Sequence, residues 1–249
     1  MLATLQIELD NKENKSIKYS YGSLFHGLLM EYIDTDYAQY LHTQSLNPYS
    51  QYVYFDRIKN HYVWQISTLT KDAKTNIIDK LVENINSQIT LKHNDISYDV
   101  LSKNIVKTQT YKELVDEIFL KEDTKNIIDL NLQTPATYKS NDVYQIFPSV
   151  SALYCSIYNK WNEFSDKISL ADKEVFEHII SHSHIIQYNL KSVRYDIEKV
   201  HINSFIGKIK ILLKGPRELI TISRLLCEYA EYSGIGAKTS MGMGGIKID

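Results

Sequence analysis

The sequence predicts an α+β protein built from two tandem ferredoxin-like (RRM-like) domains that end in a glycine-rich loop. Three observations carry that prediction. Residues 1–122 read as strand, helix, strand, strand, helix, strand, which is the ferredoxin-like order. Residues 123–249 read as a second pass through that order with an added helix. Five of the nine glycines, Gly234, Gly236, Gly242, Gly244 and Gly245, then fall within twelve residues near the end of the chain.

Each element has its own signal. Leu2 to Leu9 alternates apolar and polar residues, the period of a half-buried strand. Leu24, Phe25, Leu28, Leu29, Tyr32 and Ile33 recur at helical spacing, so Tyr21 to Ile33 is an amphipathic helix. Asp34 or Thr35 can cap a further short helix carrying Tyr37, Tyr40, Leu41 and His42. Strands follow near Gln51–Phe55 and His61–Ser67. Thr70 can cap a helix in which Ile77, Ile78, Leu81, Val82 and Ile85 keep helical spacing. The strand-rich stretch Ile96 to Lys107 closes the first unit, and Thr110–Asp123 reads as an ordered, partly helical linker.

The second unit opens with a strand at Asn126–Leu132 and a helix at Ser149–Phe164. The added helix, about Leu170–Ser181, precedes a hairpin through Ile185–Val200 and Phe205–Leu213. Gly215-Pro216 opens a helix to Tyr232, with proline near the first helical position, and Gly245–Ile248 is the closing strand.

Composition narrows the class. Hydrophobic residues at 43% and charged residues at 23% suit a globular core. The opening MLATLQIELD lacks the basic-then-apolar pattern of a signal peptide, and no segment approaches the ~20 apolar residues that span a bilayer. Cys155 and Cys227, the only cysteines, form neither a disulfide framework nor a metal-ligand spacing. A cytoplasmic protein is expected.

The net charge of −2 is unevenly distributed. Up to Thr124 there are 13 Lys+Arg against 17 Asp+Glu, and from Lys125 onward 15 against 13. Lys191 to Arg217 holds seven basic residues, Lys191, Arg194 and Lys199 among them, against Asp196 and Glu198. Such an excess is either a footprint for phosphates or a solvated strand face protected by lysine.

Glycine permits φ > 0 and close backbone approach, so the tail can present N–H groups to phosphate oxygens. Two other glycine motifs fail. Gly234-Ile235-Gly236 has Thr239 where a dinucleotide fingerprint needs glycine or alanine, and it follows a helix. Gly236-Ala237-Lys238-Thr239 lacks the Walker spacing. A helix C-cap at Gly234 followed by a tight hairpin explains one or two glycines. Five, with Lys238 and Ser240 among them, favour phosphate-backbone binding by Gly234, Gly236, Lys238, Ser240, Gly242 and Gly244.

Those residues also carry a resemblance. SGIGAKTSMGMGGIKI resembles the terminal glycine-rich loop of the RAMP superfamily, specifically its repeat-cleaving endoribonucleases that mature CRISPR RNA. Thr134-Pro135, Tyr138-Lys139 and Phe147-Pro148, ahead of a helix reaching Trp161-Asn162, resemble the start of that family's second domain. Phe205-Ile206-Gly207 with Gly215-Pro216 resembles the strand and turn before its last helix. HGLLMEYI, then YLH six residues before PY, resembles the segment with the catalytic histidine. The segments are most similar to members that accompany type III-A effector complexes.

The resemblance implies RNA bound across the face between the two domains, with CRISPR repeat RNA as partner. It implies metal-independent cleavage by the ribose 2′-OH, leaving 2′,3′-cyclic phosphate and 5′-OH ends, with no cofactor. It also implies transient contact with a type III effector complex, no membrane partner, and either a monomer or a homodimer. The residues agree on metal, since no cluster of His, Asp and Glu has ligand spacing, and His182 and His184 read as polar surface. His42 matches the family's catalytic position. His26 is the second catalytic candidate, with a packing role equally open; Tyr21 and Tyr32 are weaker. Some members place a lysine shortly after the histidine, whereas Thr43 to Phe55 contains no basic residue. The cation must then come from Lys59, Arg194, Lys238 or the glycine-loop amides. Two alternatives stay open: a non-catalytic RNA-binding RAMP subunit, and a nucleotide-binding enzyme that uses the loop for a phosphate. The nineteen tyrosines read mostly as core edges, and none is assigned to a base.

Overall fold

Alternation makes Leu2–Leu9 strand β1, and its apolar side chains put it at the centre of an antiparallel sheet. The computed structural model describes residues 1–10, 17–92, 96–121, 125–165, 170, 172–197 and 200–249. With β2 (Tyr49–Asp56), β3 (His61–Thr68), β4 (Gln88–Leu91) and β5 (Ile96–Gln109), the order is β2-β3-β1-β5-β4. Without β4 this is the ferredoxin-like order. Strand β4 pairs with β5 as an edge addition, and its four residues are too few to show a period in the sequence.

Helix α1 (Gly22–Tyr32) buries Phe25, Leu28 and Leu29, and α2 (Thr35–Thr43) buries Ala38 and Leu41. Asp34 stands at the N-cap of α2 without a side-chain capping bond. Thr70 does cap, its hydroxyl accepting from the Ala73 N–H at 3.0 Å. The helix it starts runs as α3 (Lys71–Ala73), a π-helical segment Lys74–Asp79 and α4 (Lys80–Asn84). Ile77, Ile78 and Leu81 turn inward, whereas Val82 faces out.

The linker forms α5 (Tyr111–Phe119), opened by a Thr110–Glu113 capping box. Tyr111, Leu114 and Ile118 enter the core of the second unit. The expected boundary between residues 122 and 123 lies outside the described residues.

The second sheet is β6 (Ile127–Leu132), β9 (Ser183–Ile197), β10 (Val200–Leu213) and β11 (Ile246–Ile248), in the order β11-β6-β10-β9. This is again the ferredoxin-like order. It is reached once two insertions are set aside, the small hairpin β7 (Tyr138–Ser140) with β8 (Val143–Gln145), and α7 (Lys173–His182). The hairpin shows no period in the sequence because its strands are three residues each. Helices α6 (Val150–Phe164), capped by Ser149, and α8 (Arg217–Ser233), preceded by Pro216, cover the sheet. Trp161 packs edge-on against Tyr111 and Tyr229, with centroids 5.2 and 5.0 Å away. Each such pair is worth about 0.5–1.5 kcal/mol beyond its buried area. No helix among the described residues is long and apolar enough to cross a membrane.

Candidate active site

The N-terminal helices bring the two histidines together. His26 follows the fully buried Phe25 on α1, so its ring leaves the core at the edge of the helix. His42 lies in the last turn of α2 and is exposed. The ring centroids are 6.3 Å apart, with planes at 87°. Both line a cleft of about 480 Å³ whose opposite wall includes Lys139, Lys160, Lys238 and Ser240 from the second unit.

His26 is held from several sides. Its Nδ1 is 2.8 Å from the Tyr49 hydroxyl. Burial, then the charges of His42 and Lys238, lower its pKa to about 4, with the Ser240 backbone opposing the fall. Burial pushes the Tyr49 phenol far upward, so it keeps its proton, and it donates to Nδ1 in the His26 tautomer protonated at Nε2. Ser240 extends the network: its hydroxyl accepts from Asn47 Nδ2 at 3.2 Å and its side chain bonds Tyr49. Its carbonyl accepts from Gln51 Nε2 at 2.9 Å. Gln51 also donates to the Gly22 carbonyl at 2.7 Å and accepts from Trp64 Nε1 at 3.0 Å. Gln51 is buried in a strand that is itself buried over Tyr49–Val53, and no local sequence pattern marks this wiring. Tyr49 and Gln51 were not identified from the sequence.

The glycine-rich tail is shaped by packing. Gly236 has φ +73°, and a Cβ there would overlap the Thr137 carbonyl oxygen. A Cβ on Gly242 would meet the Gly22 Cα at 2.6 Å and the Tyr195 hydroxyl at 2.7 Å, so the loop crosses the start of α1 at van der Waals contact. Gly234, Gly242 and Gly244 are buried. The N–H groups of Gly234, Ile235, Ala237 and Gly244 donate to Ala230, Gly244, Thr137 and Pro135 carbonyls, and that of Gly236 to Ser156 Oγ. Gly236 to Lys238 form the accessible rim, with Lys238 exposed and left-handed at φ +61°.

The remaining candidates spread outward. Arg194 and Lys191 are exposed on β9. Arg194 Nε pairs with Asp196 at 2.8 Å, and Asp196 lines an adjoining cleft of about 730 Å³ with His26, Tyr21 and Glu31. His26 thus separates two clefts. Lys59 is tied to Glu8 at 2.6 Å and lines neither, and Tyr32 packs against the first core. Lys199 lies outside the described residues.

The fold agrees with the comparisons to known proteins. The family description "CRISPR-associated endoribonuclease Cas6" matches residues 130–246. A Streptococcus thermophilus protein of that name is 31% identical over 229 residues, covering 90% of each chain. A Mycobacterium tuberculosis protein of that name is 25% identical over 245 residues, covering 98% of this chain and 77% of its own. A solved Cas6 product complex superposes with a TM-score of 0.81 at 19% identity, over 100% of this chain and 99% of its own. The class is therefore that of a CRISPR-associated endoribonuclease with tandem ferredoxin-like domains. Within that class, the chain belongs to the Cas6 family.

Proposed function

We propose that this chain matures CRISPR repeat RNA by metal-independent cleavage in the two-histidine cleft, with His42 as the proton-transfer residue. One observation carries the reading: an exposed imidazole faces, at 6.3 Å, a second imidazole kept neutral by burial, beneath a glycine-rich loop. An imidazole both takes and gives protons near neutrality. The ribose 2′-OH loses its proton, its oxygen bonds the adjacent phosphorus, and the bond to the 5′-oxygen breaks as that oxygen gains a proton. The products are a 2′,3′-cyclic phosphate and a 5′-OH. In-line placement and proton transfer supply the acceleration.

His26 is the second member of the site. Its Nδ1 is bonded to the Tyr49 hydroxyl, which favours a positioning role, and burial keeps its ring neutral. Lys238 and Gly236 form the RNA-facing rim with Ser240 buried directly behind it, and Arg194 and Lys191 extend a basic track along β9. Gly234, Gly242 and Gly244 act through the shape of the loop. Residues 1–122 and 123–249 serve as the two domains. Accompaniment of a type III-A system, transient contact with its effector complex, and function as monomer or homodimer complete the reading. Crystallised Cas6 proteins in product and substrate-mimic complexes support occupancy of such a fold by RNA.

The test is His42→Ala with the host's repeat RNA in EDTA, mapping product ends. A loss of about 10²–10⁴-fold is expected. An unchanged rate refutes the role of His42 and favours a non-catalytic RNA-binding subunit, and a 3′-hydroxyl product refutes the mechanism.

A further inference from the structure

Lys160 is a charged residue in a place where charge is costly. It lies on the inward side of α6, buried among Leu153, Tyr154, Ile157 and Trp161, and it still reaches the wall of the histidine cleft. Among the described residues no carboxylate pairs with it. Its Nζ donates to the Ser233 carbonyl at 2.6 Å and to Thr239 Oγ1 at 2.7 Å. Ser233 is the last residue of α8, where the exposed carbonyls carry the negative end of the helix dipole. Thr239 directly precedes Ser240, whose groups bond Tyr49 and Gln51. Two of the three ammonium donors are thus used on the frame of the loop, and one remains.

An unpaired buried lysine persists only where something compensates its desolvation. The scissile phosphate is an anion that the cleft must receive, and the N-terminal segment Thr43 to Phe55 offers no basic residue for it. Lys139, also in the cleft wall, is exposed and paired with Asp142 at 2.7 Å. Lys238 is exposed, so water and salt screen it.

We propose that Lys160 is the positioning cation of this site. Its ammonium ties the end of α8 to the glycine-rich loop, sets Ser240 against Tyr49 and His26, and supplies fixed positive potential beneath the phosphate. The proposal rests on the reading that RNA is cut in this cleft. A charge fixed in a dry site stabilises developing negative charge without reorganising, which a solvated lysine does not do. Burial lowers its pKa to about 7, and an arriving phosphate favours the protonated form. The other titratable groups facing the cleft are His26, His42, Lys139, Tyr144 and Lys238.

The experiment compares Lys160→Met, which keeps the stem, with Lys160→Arg, which keeps the charge. Single-turnover cleavage is measured beside the Kd for repeat RNA carrying a 2′-deoxy nucleotide at the cut. The Met variant should lose about 10²-fold in rate, with less than about a tenfold change in Kd, and the Arg variant should recover much of the rate. Cleavage by the Met variant within about threefold of wild type overturns the proposal, as does equal loss in Met and Arg. Should the Met variant fail to fold, Thr239→Val removes the same link from the loop side, and normal cleavage by that variant overturns it equally. His42→Ala run alongside separates the two readings. A dead His42→Ala with an active Lys160→Met sinks only the lysine, whereas an active His42→Ala sinks the cleft.

Discussion

Protonating His26 should destabilise the protein by a calculable amount. The folded pKa is about 4, lowered chiefly by burial from an ordinary value of 6.5. Between those values the unfolded chain binds the proton and the folded chain does not, so stability rises with pH across the window. It is fully present above pH 6.5 and is lost as pH falls toward 4. For one group with these two values, moving from pH 7 to pH 5 removes about 2 kcal/mol, and the full shift corresponds to about 3 kcal/mol. The geometry gives the same sign, because an imidazolium cannot accept the Tyr49 hydrogen bond at Nδ1. The measurement is urea unfolding of wild type and His26→Gln at pH 7 and pH 5. Groups distant from His26 contribute alike in both proteins and cancel in the comparison. Wild type should lose about 2 kcal/mol more than the variant between the two pH values. Equal losses, within about 0.5 kcal/mol, would refute the claim that the site holds this ring neutral.

Two further substitutions separate the roles of the tail. Lys238→Ala removes an exposed side chain, so the melting temperature should not move. Binding to repeat RNA should weaken across sequences, with a salt slope shallower by about 0.7 if one single-strand phosphate contact is lost, read from Kd against salt. Gly236→Ala forces a side chain onto a left-handed backbone and against the Thr137 carbonyl, and should cost about 2 kcal/mol or more in denaturant unfolding. Gly27→Ala is its control: nothing lies within 4 Å of a Cβ there, the position is an exposed helix interior, and a gain of about 0.5–1 kcal/mol is expected.

Long periodic elements were legible, and the wiring between them was not. Leu2–Leu9, α1, α6 and α8 announce themselves because burial on one face leaves a period of 2 or 3.6 in the chain. Strands β4, β7 and β8 are too short to show one. The motif around it singles out His42 as a candidate, and its exposure and cleft position follow from its place beside the buried Leu41. Tyr49, Gln51 and Lys160 escaped because their significance lies in partners across sequence separations of 23, 189 and 79 residues, and no local pattern records such distances. The glycine tail was legible as a cluster, but its internal hydrogen bonds were not. Most of its amides serve the fold, and the rim available to RNA is narrower than the run of glycines suggests.

The cleft belongs to neither sheet alone. His26 and His42 come from helices of the first unit, and the wall facing them comes from α6, the β7–β8 hairpin and the tail of the second. The two units are joined at that point by buried polar bonds. Ser50 Oγ donates to the Tyr232 carbonyl at 2.6 Å, and Gln51 Nε2 to the Ser240 carbonyl at 2.9 Å. Buried bonds of this kind add little net stability each, but leaving one unmade is expensive. They therefore fix the angle between the units more than they strengthen it. Gly22 and Gly242 let the two backbones touch where those bonds converge, since a side chain on either would force the loop away from α1. The distance between the histidines and the loop is thus set by the same contacts that join the domains. A change that loosens the junction should reach the chemistry without altering any residue that touches RNA.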